Sequence, residues 1–126
     1  MRTAIDAVCI QDGKLLLVKK KEVWILPGGK PYDSESDIDC MLREICIEEL
    51  PGTRLEKFEL YRTFRGVTPH TRDLLEARAY FADISGELKP SAEINGVEWA
   101  EDARKYNLSD ITGKFVDSLI KDGYLR

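Results

Sequence analysis

The chain has 126 residues, of which 43% are hydrophobic, so one domain with a buried core is expected over residues 1–126. Charged residues make up 33% with mixed sign and a net charge of −4, which argues against the basic surface of a general nucleic-acid binder. No apolar run approaches the roughly 20 residues that span a bilayer, and no signal peptide is recognised, so a cytoplasmic protein without membrane contact is expected.

In chain order, the β-formers of TAIDAVCIQ predict a strand near Thr3–Ile10, and Asp12-Gly13 is a hairpin-turn signal. KLLLVKK predicts a second strand, buried on both faces. A short extended piece, VWIL, leads into Pro27-Gly28-Gly29. There Pro27 disfavours helix in Leu26, and the glycines allow backbone shapes closed to other residues. A helix follows from about Ser36 to Leu50, capped by Ser34 or Ser36 with Asp37 or Asp39 three residues on, and stopped by Pro51 and Gly52. Asp33, Asp37 and Asp39 suit its N-terminal dipole. RLEKFELYRTFR predicts a long strand, GVTPHTR a loop, and DLLEARAYFADI the antiparallel partner, closed by a turn at Ser85-Gly86. VEWA predicts a short strand. LSDITGKFVDSLIKDGYL predicts a C-terminal helix with Ile111, Phe115, Leu119 and Ile120 on its apolar side and Gly123 as a cap beyond its end. Strands before, between and after two helices predict an α/β sandwich with a mixed sheet.

The three cysteines, Cys9, Cys40 and Cys46, are odd in number and lack metal-site spacing. They read as reduced, mostly buried thiols, with Cys40 and Cys46 on different faces of one helix.

On the wheel of the first helix, Ile38, Leu42 and Ile45 share a core stripe with Met41 beside it. Glu44 and Glu48 fall together on another face. Two like charges four apart repel. A solvated face is the plain interpretation; the chemical one is a divalent cation between them, because hard cations take carboxylate oxygens together with substrate phosphates.

The stretch resembles the Nudix box: Gly, five residues, Glu, seven residues, then Arg-Glu-apolar-x-Glu-Glu-x-Gly-apolar. Here Gly29 is followed after five residues by Glu35 and after seven more by Arg43-Glu44-Ile45. The resemblance implies a Nudix-type α/β/α sandwich with a mixed β-sheet between helices. It also implies hydrolysis of a diphosphate linkage in a nucleoside diphosphate derivative, either a nucleoside triphosphate or ADP-ribose, with Mg²⁺ or Mn²⁺. The site it implies has Arg43, Glu44 and Glu48 in catalysis and Glu44, Glu48, Glu49 and a Gly28 backbone carbonyl at the metal. A loop glutamate, Glu93, would add a further ligand or base. The expected partner is a small nucleotide, with self-association into a homodimer left open.

After Arg43-Glu44-Ile45 the sequence departs from the box. Cys46-Ile47-Glu48-Glu49 carries one residue too many, and Leu50-Pro51 stand where Gly-apolar is expected. In an unbroken helix Ile47 would replace the first glutamate and Glu49 would fall in the core stripe. A single inserted residue absorbed as a π-type turn near Ile45-Cys46-Ile47 would rotate everything after it back by about 100°. Glu48 and Glu49 would then stand beside Glu44, with Leu50 in the core. Ile47 also motivates the alternative of a Nudix-fold binding or regulatory module that has lost catalysis. An unrelated small α/β ligand-binding domain is the third reading.

Other side chains carry weaker expectations. His70, the lone histidine, reads as an exposed loop residue before a base; Tyr32, Tyr61 and Phe64 as core before base-stacking; Arg62, Arg65 and Arg72 as surface residues or phosphate contacts.

Overall fold

The computed structural model describes residues 1–68 and 70–126; Pro69, within the loop expected over 66–72, lies outside the described residues. The first sheet has the order β5-β1-β7-β6, where β1 is Arg2–Val8, β5 is Gly28–Gly29, β6 is Arg54–Val67 and β7 is Leu74–Ser85. It is mixed: β1 runs parallel to β7 and antiparallel to β5, and β6 and β7 are antiparallel. The second sheet is antiparallel, with β3 (Lys14–Lys20) flanked by β4 (Val23–Ile25) and β8 (Ile94–Ala100) and by the short β2 (Ile10–Gln11).

Asp12 and Gly13 both have positive φ (52° and 76°), the signature of a tight hairpin turn between β2 and β3. Leu15 to Val18 are fully buried, as an apolar run without alternation predicts. Leu16 and Val18 enter one core cluster while Leu15 and Leu17 enter the other. The first cluster lies under the helix that begins at Asp37 and contains Met41, Ile45 and Leu50. The second lies under α2 (Asp110–Lys121) and contains Ile111, Phe115 and Leu119, with Ile120 packed against it. A helix thus covers each core, which is the α/β/α arrangement expected.

The first helix is α-helical only over Asp37–Met41 (α1) and π-helical over Leu42–Glu49 (π1). Ser36 caps it, accepting the Asp39 N–H at 3.0 Å. The Leu50 N–H reaches the Ile45 carbonyl, five residues back, at 2.8 Å. At the end of α2, the Gly123 N–H bonds to the Ile120 carbonyl and the Tyr124 N–H to the Leu119 carbonyl, with Gly123 at φ 88°. That is a Schellman cap at the glycine expected to supply it.

Several expectations are corrected. Ile38 is 41% exposed rather than in the core stripe, because α1 is a single short turn whose inward side is taken by Cys40 and Met41. Cys40 and Cys46 both contact the first core cluster, since the wider π turn changes the angle between them. All three cysteines are free, with Cys9 and Cys40 buried. Gly66 and Val67 belong to β6 rather than to the loop, and β8 starts three residues before VEWA. Among the described residues no helix is long and apolar enough to cross a membrane.

Candidate active site

The site is built where β5 squeezes between β1 and π1. Gly28 pairs with Asp6 of β1 and has φ 151°; a Cβ there would strike the Ile5 carbonyl oxygen and the Asp6 side chain. A Cβ on Gly29 would run into the carboxylate of Glu44. Position 28 therefore requires glycine, and a side chain at Gly29 would push the Glu44 carboxylate from its place. The Gly28 N–H donates to Glu49 Oε1 at 3.0 Å, so the turn and the end of π1 are held together.

Arg43 organises the outer half. Its Nε and one Nη donate to both oxygens of Glu35 at 2.8 and 2.9 Å, and its other Nη donates to Glu44 at 2.7 Å and Glu48 at 2.9 Å. The fifth N–H goes to the Lys30 carbonyl at 3.0 Å, and the guanidinium lies 3.7 Å from the centre of the Tyr32 ring. All five donors of the group are thus engaged. The Arg43 bond holds the Glu35 carboxyl down to about 2. Tyr32, 64% exposed, covers this guanidinium rather than lying in a core.

The inner half is different. Glu49 is buried, and burial pushes its carboxyl well above the glutamate range. The Gly28 N–H opposes that, while Glu44 and Asp6 push in the same direction as burial. Asp6, also buried, is pushed up to about 8 by burial. Ile47 stands 69% exposed and Leu50 is fully buried. The π segment has therefore turned Ile47 away from the acids, Leu50 into the core and Glu49 onto Gly28.

A cavity of about 580 Å³ opens over this wall. Asp6, Glu44, Glu48 and Glu49 line it, and so do Lys20 and Glu93, whose side chains pair at 2.9 Å. The Ser91 N–H donates to the Glu49 carbonyl at 2.9 Å, which ties the loop carrying Glu93 to the end of π1. Glu93 thus lines the same cavity as Glu44, with its carboxyl lowered by Lys20. His70 lines the cavity from an exposed loop, and burial lowers its imidazole, helped by Lys21 and Lys20. The α2 N-terminus closes the far side: the Leu26 N–H bonds to Thr112 Oγ1 at 3.3 Å, and Ser109 and Ile111 line the wall.

Other expected residues stand elsewhere. Arg62 pairs with Asp122 and Arg65 with Glu76, and neither they nor Arg72 lines the cavity. Tyr61 packs on Phe81 and Tyr124, and Phe64 on Phe115, both in the second core. Asp37 is not merely an acid near a helix dipole: Arg78 clamps it through two bonds of 2.9 Å and Tyr80 donates to it at 2.5 Å. Sequence reasoning missed Asp6, Lys20 and Arg2, all of which line the cavity.

Among the described residues no three acidic, histidine or cysteine side chains converge at metal-ligating distance, because Arg43 draws Glu44 and Glu48 onto one nitrogen. The chemistry of the donors nevertheless fits a hard divalent cation. They are all oxygen, and two of them, Asp6 and Glu49, are buried acids with no salt-bridge partner among the described residues.

A family profile described as NUDIX domain matches residues 1–115. The structure resembles a MutT NUDIX hydrolase from Burkholderia pseudomallei, with a TM-score of 0.79 and 26% identity, covering 92% of this chain and 95% of that one. A MutT protein from Methanosarcina mazei Go1 superposes with a TM-score of 0.77 at 18% identity, covering 96% of this chain and 94% of that one. The NUDIX domain of Shewanella oneidensis NrtR, solved in complex with ADP ribose, superposes at 0.72 with 20% identity, covering 97% and 88%. The last two likenesses speak to the fold alone. Comparison of the sequence with curated proteins returns no match.

Proposed function

The chain belongs to the Nudix family, and from that premise we propose that it is a divalent-cation-dependent pyrophosphohydrolase that cleaves a diphosphate linkage in a nucleoside diphosphate derivative. The whole chain acts as one domain in this reading. The observation that carries it is the glutamate set: Arg43 grips Glu35, Glu44 and Glu48, while Glu49 is seated on Gly28, and Glu44, Glu48 and Glu49 face one cavity.

Glu44, Glu48 and Glu49 would hold Mg²⁺ or Mn²⁺, with the Gly28 carbonyl as a further oxygen donor. The cation, when bound, neutralises the diphosphate and acidifies a water. Arg43 orients Glu44 and Glu48 through charge-assisted bonds and keeps them from swinging into solvent. Lys20 offers a positive charge for a phosphate oxygen. Glu93, whose carboxyl Lys20 lowers, and Glu48 both line the cavity, and in this reading one of them would accept a proton from the attacking water. The cavity volume suits a nucleotide-sized ligand.

The test is a panel of nucleoside triphosphates, ADP-ribose and nucleotide sugars incubated with the protein and Mg²⁺ or Mn²⁺, with released phosphate products measured. Turnover of at least one member that stops when the cation is chelated is the expected result. Tight binding without turnover of any member would replace this reading with that of a nucleotide-binding module.

A further inference from the structure

Resting on the cation-dependent reading above, we propose that Asp6 is itself a protein ligand to the divalent cation, supplied from β1 and outside the box helix. Asp6 is only 8% exposed, yet its carboxyl has no hydrogen bond or ion pair with any described residue. What stays accessible of its oxygens opens into the cavity, and a position this buried in a strand is ordinarily filled by an apolar side chain. Its neighbours Ile5 and Ala7 point into the first core. The alternation of the strand therefore turns Asp6 to the opposite face, where it lines the cavity that Glu44, Glu48 and Glu49 share.

Two further features aim it at the same point. Gly28 stands opposite Asp6 in the β1–β5 register, and a Cβ there would come within 2.5 Å of Asp6 Oδ1. The missing side chain leaves the approach to Asp6 open at the residue whose N–H grips Glu49. Among the described residues, none of the protein cations lining the cavity is paired with Asp6: Arg2 is bound to Asp73, Lys20 to Glu93, and Lys30 makes no ion pair with it. An external cation is the partner that this carboxylate lacks.

Titration of Mn²⁺ alone into the wild type, Asp6→Asn and Glu44→Gln, by calorimetry and by the Mn²⁺-dependent rise in melting temperature, tests the assignment. Asp6→Asn keeps the shape of the side chain and removes its charge. Its affinity for Mn²⁺ should fall at least about 10-fold, the lower end of the loss seen when even an indirect support of a metal is removed. Its metal-free melt should stay cooperative. If Asp6→Asn binds Mn²⁺ as tightly as the wild type while Glu44→Gln does not, the role of Asp6 is overturned and the cation-dependent reading stands. If the wild type binds no Mn²⁺, both fall. Should Asp6→Asn fail to fold, wild-type crystals soaked in Mn²⁺ decide the matter. An anomalous peak within about 2.0–2.6 Å of an Asp6 oxygen upholds the assignment, and a peak on the box glutamates beyond that range of Asp6 overturns it.

Discussion

Arg43 and Glu49 divide the labour of the acid wall between a half-buried ionic clamp and a buried hydrogen bond. Replacing Arg43 with Lys keeps the charge but gives three donors on a flexible stem in place of a planar fork of five. Glu44 and Glu48 would lose their common anchor, and kcat should fall about 10- to 100-fold, as for other groups that position metal ligands. Unchanged kcat in Arg43→Lys would mean that the clamp is only structural. Glu49→Gln separates shape from charge. The amide oxygen can still accept the Gly28 N–H, and a buried charge disappears, so the melting temperature without divalent ions should not drop. Turnover should fall at least about 100-fold if Glu49 serves the cation; near-normal turnover would remove Glu49 from the site. Glu44, Glu48 and Glu49 were legible because their spacing from Gly29 can be counted along the chain. Asp6 and Lys20 were not, because they arrive from two strands in different sheets and no spacing connects them to the box. The one available signal for Asp6 was a lone acid amid the apolar residues of AIDAVC.

The π segment answers how a box with one residue too many keeps its glutamates in place. It extends over Leu42–Glu49, longer than the single turn that the insertion alone predicts. The need for it could be read from the misfit of Ile47 and Glu49 on a regular wheel. Its length could not, because that depends on how Ile45 and Leu50 settle into the core once the ladder has shifted. Since π turns are locally less favourable than α turns, deleting the extra residue should restore the regular ladder. Ile47 is the residue to remove, because it is 69% exposed and gives up little packing. A chain lacking Ile47 should melt no lower than the wild type within about 1 kcal/mol, an ordinary surface effect, and keep its activity within about tenfold. Deleting Ile45 instead would pull a fully buried side chain out of the first core and should abolish the cooperative melt. Equal damage from the two deletions would show that the π geometry, and not merely the register of the glutamates, is required.

At the scale of the molecule, two cores are separated by sheets and roofed by separate helices, and the site lies where the pieces meet. The elements and their order were legible from periodicity, glycine and proline. The hairpin at Asp12-Gly13 and the antiparallel β6–β7 pair were legible too, but the remaining pairings were not: nothing local says that β1 lies parallel to β7, or that the Gly28-Gly29 turn pairs with β1. The roof over the first core is fastened to the sheet by Asp37, which Arg78 and Tyr80 of β7 grip at the very start of α1. The Arg78 bond is the largest influence that lowers the Asp37 carboxyl below its ordinary value of 3.8. A carboxyl depressed in the folded state adds stability that is complete above its unfolded pKa and fades as the pH falls through the lower folded value. Asp37→Asn should therefore lower the free energy of unfolding by about 1–2 kcal/mol near neutral pH, at the low end for charged hydrogen bonds because the group is partly exposed. The difference between wild type and variant should persist at about pH 5 and shrink towards about pH 3, where the unfolded carboxyl already takes up the proton and the folded one begins to follow. Urea unfolding of the two proteins at about pH 7, 5 and 3 measures that difference directly. Because every other acid titrates equally in both chains, the gap reports Asp37 alone, and a gap as wide at the lowest pH as at neutrality would show that the clamp does not act through its charge.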